Sequence, residues 1–202
     1  CTGTAPTVFF GNTPKTMGTF IITGAGTAQL NSAYTGTNFT RTGTAAKTDY
    51  LKLISGITCT GTFTCNGNSA TNRVQINSTA VGTARTITAA TVSCSNVDFQ
   101  DVTGAGAGSW DLSAITGGSG DCGGNTGITF TTPATQTATG TASFTWSTHG
   151  WTSRVPLPQD DVVINNAFTA GRTVTNDMPR LGKSIDFTGC TNTPGFLING
   201  AT

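Results

Sequence analysis

Short runs in which apolar residues alternate with Thr, Asn or Ser recur from one end of the chain to the other, and this restricts its fold more than any other feature. They include Thr19–Thr23 (TFIIT), Asp49–Ile54 (DYLKLI), Ile57–Thr64 (ITCTGTFT), Arg73–Asn77 (RVQIN), Val97–Val102 (VDFQDV), Asp161–Ile164 (DVVI) and Lys183–Phe187 (KSIDF). A period of two sets alternate side chains on one face and is the mark of a half-buried strand. Gly, Asn and Ser interrupt the runs at intervals of about eight to twelve residues, the spacing of short strands in all-β folds. No segment has a helical period, and Trp110–Ile115 is too short to form more than one turn.

Composition agrees. Of 202 residues 44 are Thr and 27 Gly, and the nine acids are all Asp, with no Glu. Scarcity of Glu, Lys, Leu and Met argues against a helical bundle. A net charge of +1 lacks the electrostatic footprint of a nucleic-acid binder. The apolar fraction of 36% with so little charge argues against a disordered tail. No run of about 18 apolar residues is present, so no helical membrane span is expected. The chain opens on Cys1-Thr2-Gly3 without Met or a charged leader. This reads as a processed product or a window of something longer, and it also fits the mature end of a lipoprotein.

Two architectures accommodate regularly spaced short strands, a parallel β-solenoid and an antiparallel β-sandwich. A solenoid sets like residues in register on successive coils, so Thr and Asn form ladders along the axis, each cross-strand pair contributing about 0.2–1 kcal/mol. A sandwich calls for hairpin dipeptides, of which Asn66-Gly67 and Asn199-Gly200 are the few examples. The expected fold is therefore all-β, a parallel β-solenoid with a capping segment, with the sandwich as the alternative. Faces of roughly eight to ten residues would give a three-sided coil of about 25–30 residues rising ~4.8 Å.

Cysteine usage points to an oxidising compartment. Cysteines stand at 1, 59, 65, 94, 122 and 190, an even count in a charge-poor chain. The local disulfide candidates are Cys59 with Cys65 and Cys94 with Cys122, the latter closing a loop worth about 3 kcal/mol. Buried free thiols on strands are the competing reading. Metal binding is not expected, because no C-x-x-C spacing occurs and His149 is the sole imidazole.

Residues 1–13 and 190–202 match without gaps at Cys1/Cys190, Thr2/Thr191, Thr4/Thr193, Gly11/Gly200 and Thr13/Thr202. This echo suggests a long repeat that begins again at Cys190. The Thr131–Thr141 stretch lacks apolar period and charge. The expected division is a solenoid segment at 1–132, a linker at 133–141, and the start of a second solenoid segment with a Trp-containing cap at 142–202.

The segment from Phe144 to Phe187 carries Trp146, Trp151, Pro156, Asp160 and Asp161, followed by Val162, Ile164 and the strand Thr173-Val174-Thr175. This order resembles the opening coil of extracellular parallel β-helix repeats of the bacterial adhesin and phage tail-fibre type. The family pattern has Gly or Asn before the first Trp, where this chain has Phe144 and Thr145. The resemblance implies a solenoid, an extracellular, cell-surface or virion location, and a role in a fibre. Physical reasoning supports a cap. An open solenoid end exposes unpaired backbone, two Trp can cover it, Pro156 and Pro158 stop pairing, and Asp160 can accept backbone N–H groups at the turn.

Candidate chemistry is sparse. Asp160-Asp161 could be half of a glycosidase pair, but adjacent strand residues point to opposite faces. Gly104–Gly108 lacks the spacing and following helix of a dinucleotide loop. Residues Gly117–Asn125 only partly match a calcium-binding β-roll repeat. Asn38 and Asn77 head glycosylation sequons. No catalytic residue, metal ligand or cofactor is expected. The expected function is a structural repeat of an extracellular or virion-associated fibre, a rigid stalk or adhesin, whose partners are identical subunits or neighbouring repeats. A module binding a receptor or cell-surface glycan and a polysaccharide-degrading β-helix enzyme are the alternatives.

Overall fold

The computed structural model describes residues 7–8, 15–165 and 167–198. Of the echo, Cys1, Thr2, Thr4, Gly11, Thr13, Gly200 and Thr202 lie outside the described residues. Seventeen strands are present among the described residues: β1 (Thr7–Val8), β2 (Lys15–Thr23), β3 (Thr27–Leu30), β4 (Tyr34–Thr42), β5 (Asp49–Leu53), β6 (Ile57–Asn66), β7 (Val74–Ser78), β8 (Arg85–Ser95), β9 (Val97–Gln100), β10 (Val102–Ala105), β11 (Ser119–Asp121), β12 (Thr135–Ala138), β13 (Phe144–Thr145), β14 (Asp161–Ile164), β15 (Thr173–Asn176), β16 (Ser184–Asp186) and β17 (Gly195–Ile198). The chain divides into two compact units, Cys1–Thr131 and Thr132–Thr202.

Consecutive strands alternate between two sheets. The first unit has the orders β1-β3-β5-β7-β9-β11 and β10-β8-β6-β4-β2, and the second β12-β14-β16 and β13-β15-β17. Every strand pairing among the described residues is parallel. Each unit is a parallel β-solenoid, with about eight turns in all, and the antiparallel sandwich is excluded. Thr27 pairs with Tyr50, Tyr50 with Gln75, Gln75 with Asp98 and Asp98 with Gly120, and each such step is one coil. The step from Tyr50 to Gln75 only reaches the lower edge of the length expected for a three-sided coil, and the other steps fall short of it. Each coil carries two strands rather than three, and in the other sheet the step from Ile57 to Ile87 is of the expected length. The longer strands do bend. The β4–β6 register shifts between Gly36 and Phe39, and the β6–β8 register between Cys59 and Thr62, as a bulge does.

The sequence alternation fills the inside. In β5, Asp49, Leu51 and Leu53 are buried while Tyr50 and Lys52 face out. Parallel register then stacks like on like. Phe20, Phe39 and Phe63 are register partners, with ring centroids 5.7 and 5.8 Å apart. Trp110 continues the column at 6.0 Å from Phe63, and its indole N–H donates to the Ala105 carbonyl at 2.9 Å. Outside, Thr16, Thr35, Thr58 and Thr88 form one rank, and Thr40, Thr64 and Ser93 part of another. These are the expected hydroxyl ladders.

Corners use residues that tolerate the left-handed region. Asn96 (φ 50°) separates β8 from β9, and Asp101 (φ 53°) separates β9 from β10. The single run VDFQDV thus becomes two strands in different sheets. At Gly67 a Cβ would overlap the Asn96 carbonyl and lie 2.8 Å from the Arg73 Cα, so this corner admits no side chain.

Several expectations change. The 133–141 stretch contains β12, in which Gln136 and Ala138 are buried between outward Thr135 and Thr137. Polar alternation built around a small apolar residue reads as linker yet pairs along its length with β14. Outside the strands, isolated parallel bridges join Thr103 to Thr126 and Asp111 to Thr129. Cys59, Cys65 and Cys94 are free thiols, and neither expected disulfide is formed. Cys59 and Cys65 lie at opposite ends of one strand, roughly 20 Å apart at ~3.3 Å per residue, whereas a disulfide needs Cα atoms within about 7 Å. Cys94 is on β8 in one sheet, and Cys122 follows β11 in the other.

Candidate functional site

Three kinds of feature could carry function: the Trp-containing first coil of the second unit, the outer faces of the first unit, and the charged groups held inside the coils.

Trp146 and Trp151 fall in the first coil of the second unit, beside its edge strands β12 and β13. Trp146 is fully buried, its ring 4.7 Å from that of Trp151. The Trp151 indole N–H donates to the Trp146 carbonyl at 3.0 Å, which fixes the spacing of the pair. Phe144 stacks on His149 at 3.9 Å, and the Thr139 backbone N–H donates to His149 Nε2 at 3.2 Å. This bond needs the neutral imidazole, and burial pushes the His149 pKa below its ordinary 6.5.

Asp160 and Asp161 go separate ways. Asp160 is fully buried and accepts from the backbone N–H groups of Ala134 and Leu157, both at 2.9 Å. Arg154 adds Nε at 3.0 Å and Nη2 at 2.6 Å. Its oxygens are thus spent on closing the 154–160 turn, with Pro156 and Leu157 buried above it. Asp161 faces out and accepts from the Ser184 hydroxyl at 2.6 Å on the next coil. The two carboxylates do not converge on a common point.

The sequons lie within the ladders. The Asn38 amide accepts from the Thr62 backbone N–H at 2.9 Å and donates to the Thr19 hydroxyl at 3.2 Å, joining three coils. Asn77 lies on the outer face of β7, its amide donating to the Ser78 carbonyl at 3.2 Å. In the Gly117–Asn125 segment, Asp121 accepts from the Gly123 N–H at 2.9 Å and the Asn125 amide at 2.7 Å. Among the described residues no group of three or more His, Cys or Asp side chains is arranged to hold a metal.

Sequence reasoning missed the buried arginines. Arg41 and Arg73 are almost wholly buried. Arg41 donates to the carbonyls of Gly24 at 3.0 Å and Gly26 at 3.1 Å, with Asp49 at 3.6 Å. Burial pulls its guanidinium pKa below the usual value, a shift the charges of Asp49 and Cys65 oppose. Arg73 bonds Asp98 at 2.8 Å and the carbonyls of Gly117, Val97 and Gly118 at 2.5, 2.6 and 2.8 Å. Each ties backbone carbonyls where the chain turns from one sheet to the other. A usable signal was present: Arg41 shares the parity of Phe39 in β4 and so must point inward.

The outer face of the β3–β5–β7–β9 sheet also went unnoticed. Gln29, Lys52, Asn77 and Gln100 form one rank, and Thr27, Tyr50 and Gln75 part of the next. The Lys52 ammonium lies 5.2 Å from the Tyr50 ring centre. An amide-rich strip with one aromatic ring therefore runs along the axis. In the second unit, Phe187, Cys190, Thr193, Pro194 and Phe196 line a depression of about 330 Å³ on the last described coil, near the exposed Leu197 and Ile198 of β17.

In comparison with known proteins the chain matches no family model, no curated protein and no solved structure. The reading of its function rests on its own residues.

Proposed function

We propose that this protein is a rigid structural module of an extracellular or virion-borne fibre, a stalk or adhesin segment that acts mechanically rather than catalytically. The observation that carries this reading is the filled interior. The Phe20–Phe39–Phe63–Trp110 column runs through the first unit, and the buried Arg–Asp pairs lock its corners. Bending a parallel stack would open contacts along such a column, and close-packed interiors resist that. At ~4.8 Å per coil, the six-stranded sheet extends about 24 Å along the axis. The outer threonine ranks and low charge suit a surface that meets water without a steering field. Edge strands β2 and β17 offer backbone to neighbouring coils or identical subunits.

Immunogold labelling of source cells and of their purified virions tests the assignment. Label along surface or virion filaments is expected. Label confined to the cell interior, or turnover of a polysaccharide by the isolated protein, would overturn it.

A second reading is favoured by the Tyr50–Lys52 strip. Amides both donate and accept, as sugar hydroxyls do, and an aromatic face packs on the apolar face of a pyranose. On this reading the stalk also binds a cell-surface glycan along the β3–β9 face. Glycan-array binding that is lost in Tyr50→Ala supports it, and binding unaffected by that change would dismiss it.

A further inference from the structure

The rank Ile22–Arg41–Cys65–Cys94 runs through successive coils of the first unit. We propose that Cys65 and Cys94 are the two halves of a coil-to-coil disulfide, a modification site formed by exchange with a small-molecule disulfide such as oxidised glutathione. Direct register partners on parallel strands have Cα atoms about 4.8 Å apart, inside the roughly 4.4–6.8 Å window of disulfides. Neither pair suggested by sequence spacing meets that condition. A hydrogen bond from the Cys65 backbone to the Cys94 thiol places this sulfur against the neighbouring coil.

Access differs between the two. Cys65 is fully buried, flanked by Arg41 on one side and Cys94 on the other. Cys94 is half-buried. The next strand in the sheet, β10, pairs only with Arg85–Thr88, so no described strand covers Cys94 on its far side. The order of events follows. The Cys94 thiolate attacks the small disulfide, forming a mixed disulfide and releasing one thiolate. Cys65 then gives up its proton to that thiolate and attacks the Cys94 sulfur, releasing the second small thiolate, which is protonated from solvent. Two protein thiols are oxidised and one disulfide is reduced to two thiols.

Burial also sets the character of the bond. It raises the Cys94 pKa to about 12 and that of Cys65 well above its ordinary value, more than the Arg41 charge offsets. Neither thiolate is stabilised in the folded protein, so exchange is slow once the coils have closed. For the same reason the reduced form gains nothing, and the bond once made resists reduction. The pair behaves as a structural staple set during folding rather than as a switch.

The test is refolding of the full chain in a glutathione redox buffer, followed by alkylation and intact mass. The expected result is a loss of two alkylatable thiols and two hydrogens. That loss should persist in Cys122→Ser and disappear in Cys94→Ser, with both variants keeping the wild-type far-UV spectrum. Refolded protein that retains all its thiols would overturn the proposal. So would a bond that survives Cys94→Ser, or one lost in Cys122→Ser. The outcome is independent of where the protein resides, so it stands or falls apart from the fibre reading.

Discussion

Arg73 and Asp98 lie one coil apart, and their side chains meet at 2.8 Å in the first unit, each about 1% exposed. The guanidinium spans from the start of one coil to the next and reaches the carbonyls of Gly117 and Gly118 on the coil beyond. One side chain thus ties three coils. Removing one partner of a buried pair leaves an uncompensated charge at a cost of about 3–5 kcal/mol. Asp98→Ala is expected to lose stability of that order in urea denaturation. The double change Asp98→Ala/Arg73→Met should lose less than the sum of the two single changes.

The aromatic column gives a second expectation. Phe39 is fully buried between Phe20 and Phe63, and Phe39→Ala should cost about 3–5 kcal/mol through lost burial and the cavity left behind. The same change at exposed Ile21 on edge strand β2 should cost far less. Parallel denaturation curves for the two variants would check this.

Glycine positions separate tight corners from open ones. At Gly67 an added Cβ meets backbone on two neighbouring segments, whereas at Gly18 nothing lies within 4 Å. Gly67→Ala is expected to destabilise by about 1–3 kcal/mol, as overpacking does. Gly18→Ala should be close to neutral, and thermal melts of both variants measure the difference.

His149 sets a pH dependence. Its folded pKa lies below the ordinary 6.5 because burial disfavours the cation. The unfolded chain therefore binds this proton more readily than the folded one, and stability rises with pH through the interval between the two values. Stability is full above about pH 6.5 and is lost as pH falls through that value toward the lower folded one. His149 is the sole histidine, so between pH 7 and 5 the denaturation midpoint should fall in the wild type. In His149→Gln it should stay nearly level.

Much of the architecture was legible because parallel stacking leaves a local trace. Runs such as DYLKL and RVQIN alternate cleanly, and both are strands whose inward residues are those that alternation selects. The partners were not legible. Nothing in the sequence pairs Arg73 with Asp98 or Cys65 with Cys94, since register depends on coil lengths that change from one turn to the next even within one sheet. Spacing pairs nearby cysteines, but a strand separates its own residues and brings together those a coil apart. Asp160 was legible as a turn acceptor, because Asp side chains take backbone N–H groups at turns, as it does from Ala134 and Leu157. Its Arg154 partner was not, nor was Trp110, whose place at the end of the phenylalanine column depends on a loop with no periodicity.

The central claim is that successive coils stack in parallel register. It is tested most directly by inter-strand nuclear Overhauser effects in the isotopically labelled protein of 20.5 kDa. The expected result is amide–Hα contacts joining Lys52 to Asn77 and Asn77 to Gln100, each spanning one coil, in the pattern of parallel strands. Contacts instead joining β4 to β5 and β5 to β6 as antiparallel neighbours would contradict the solenoid and every inference built on its register.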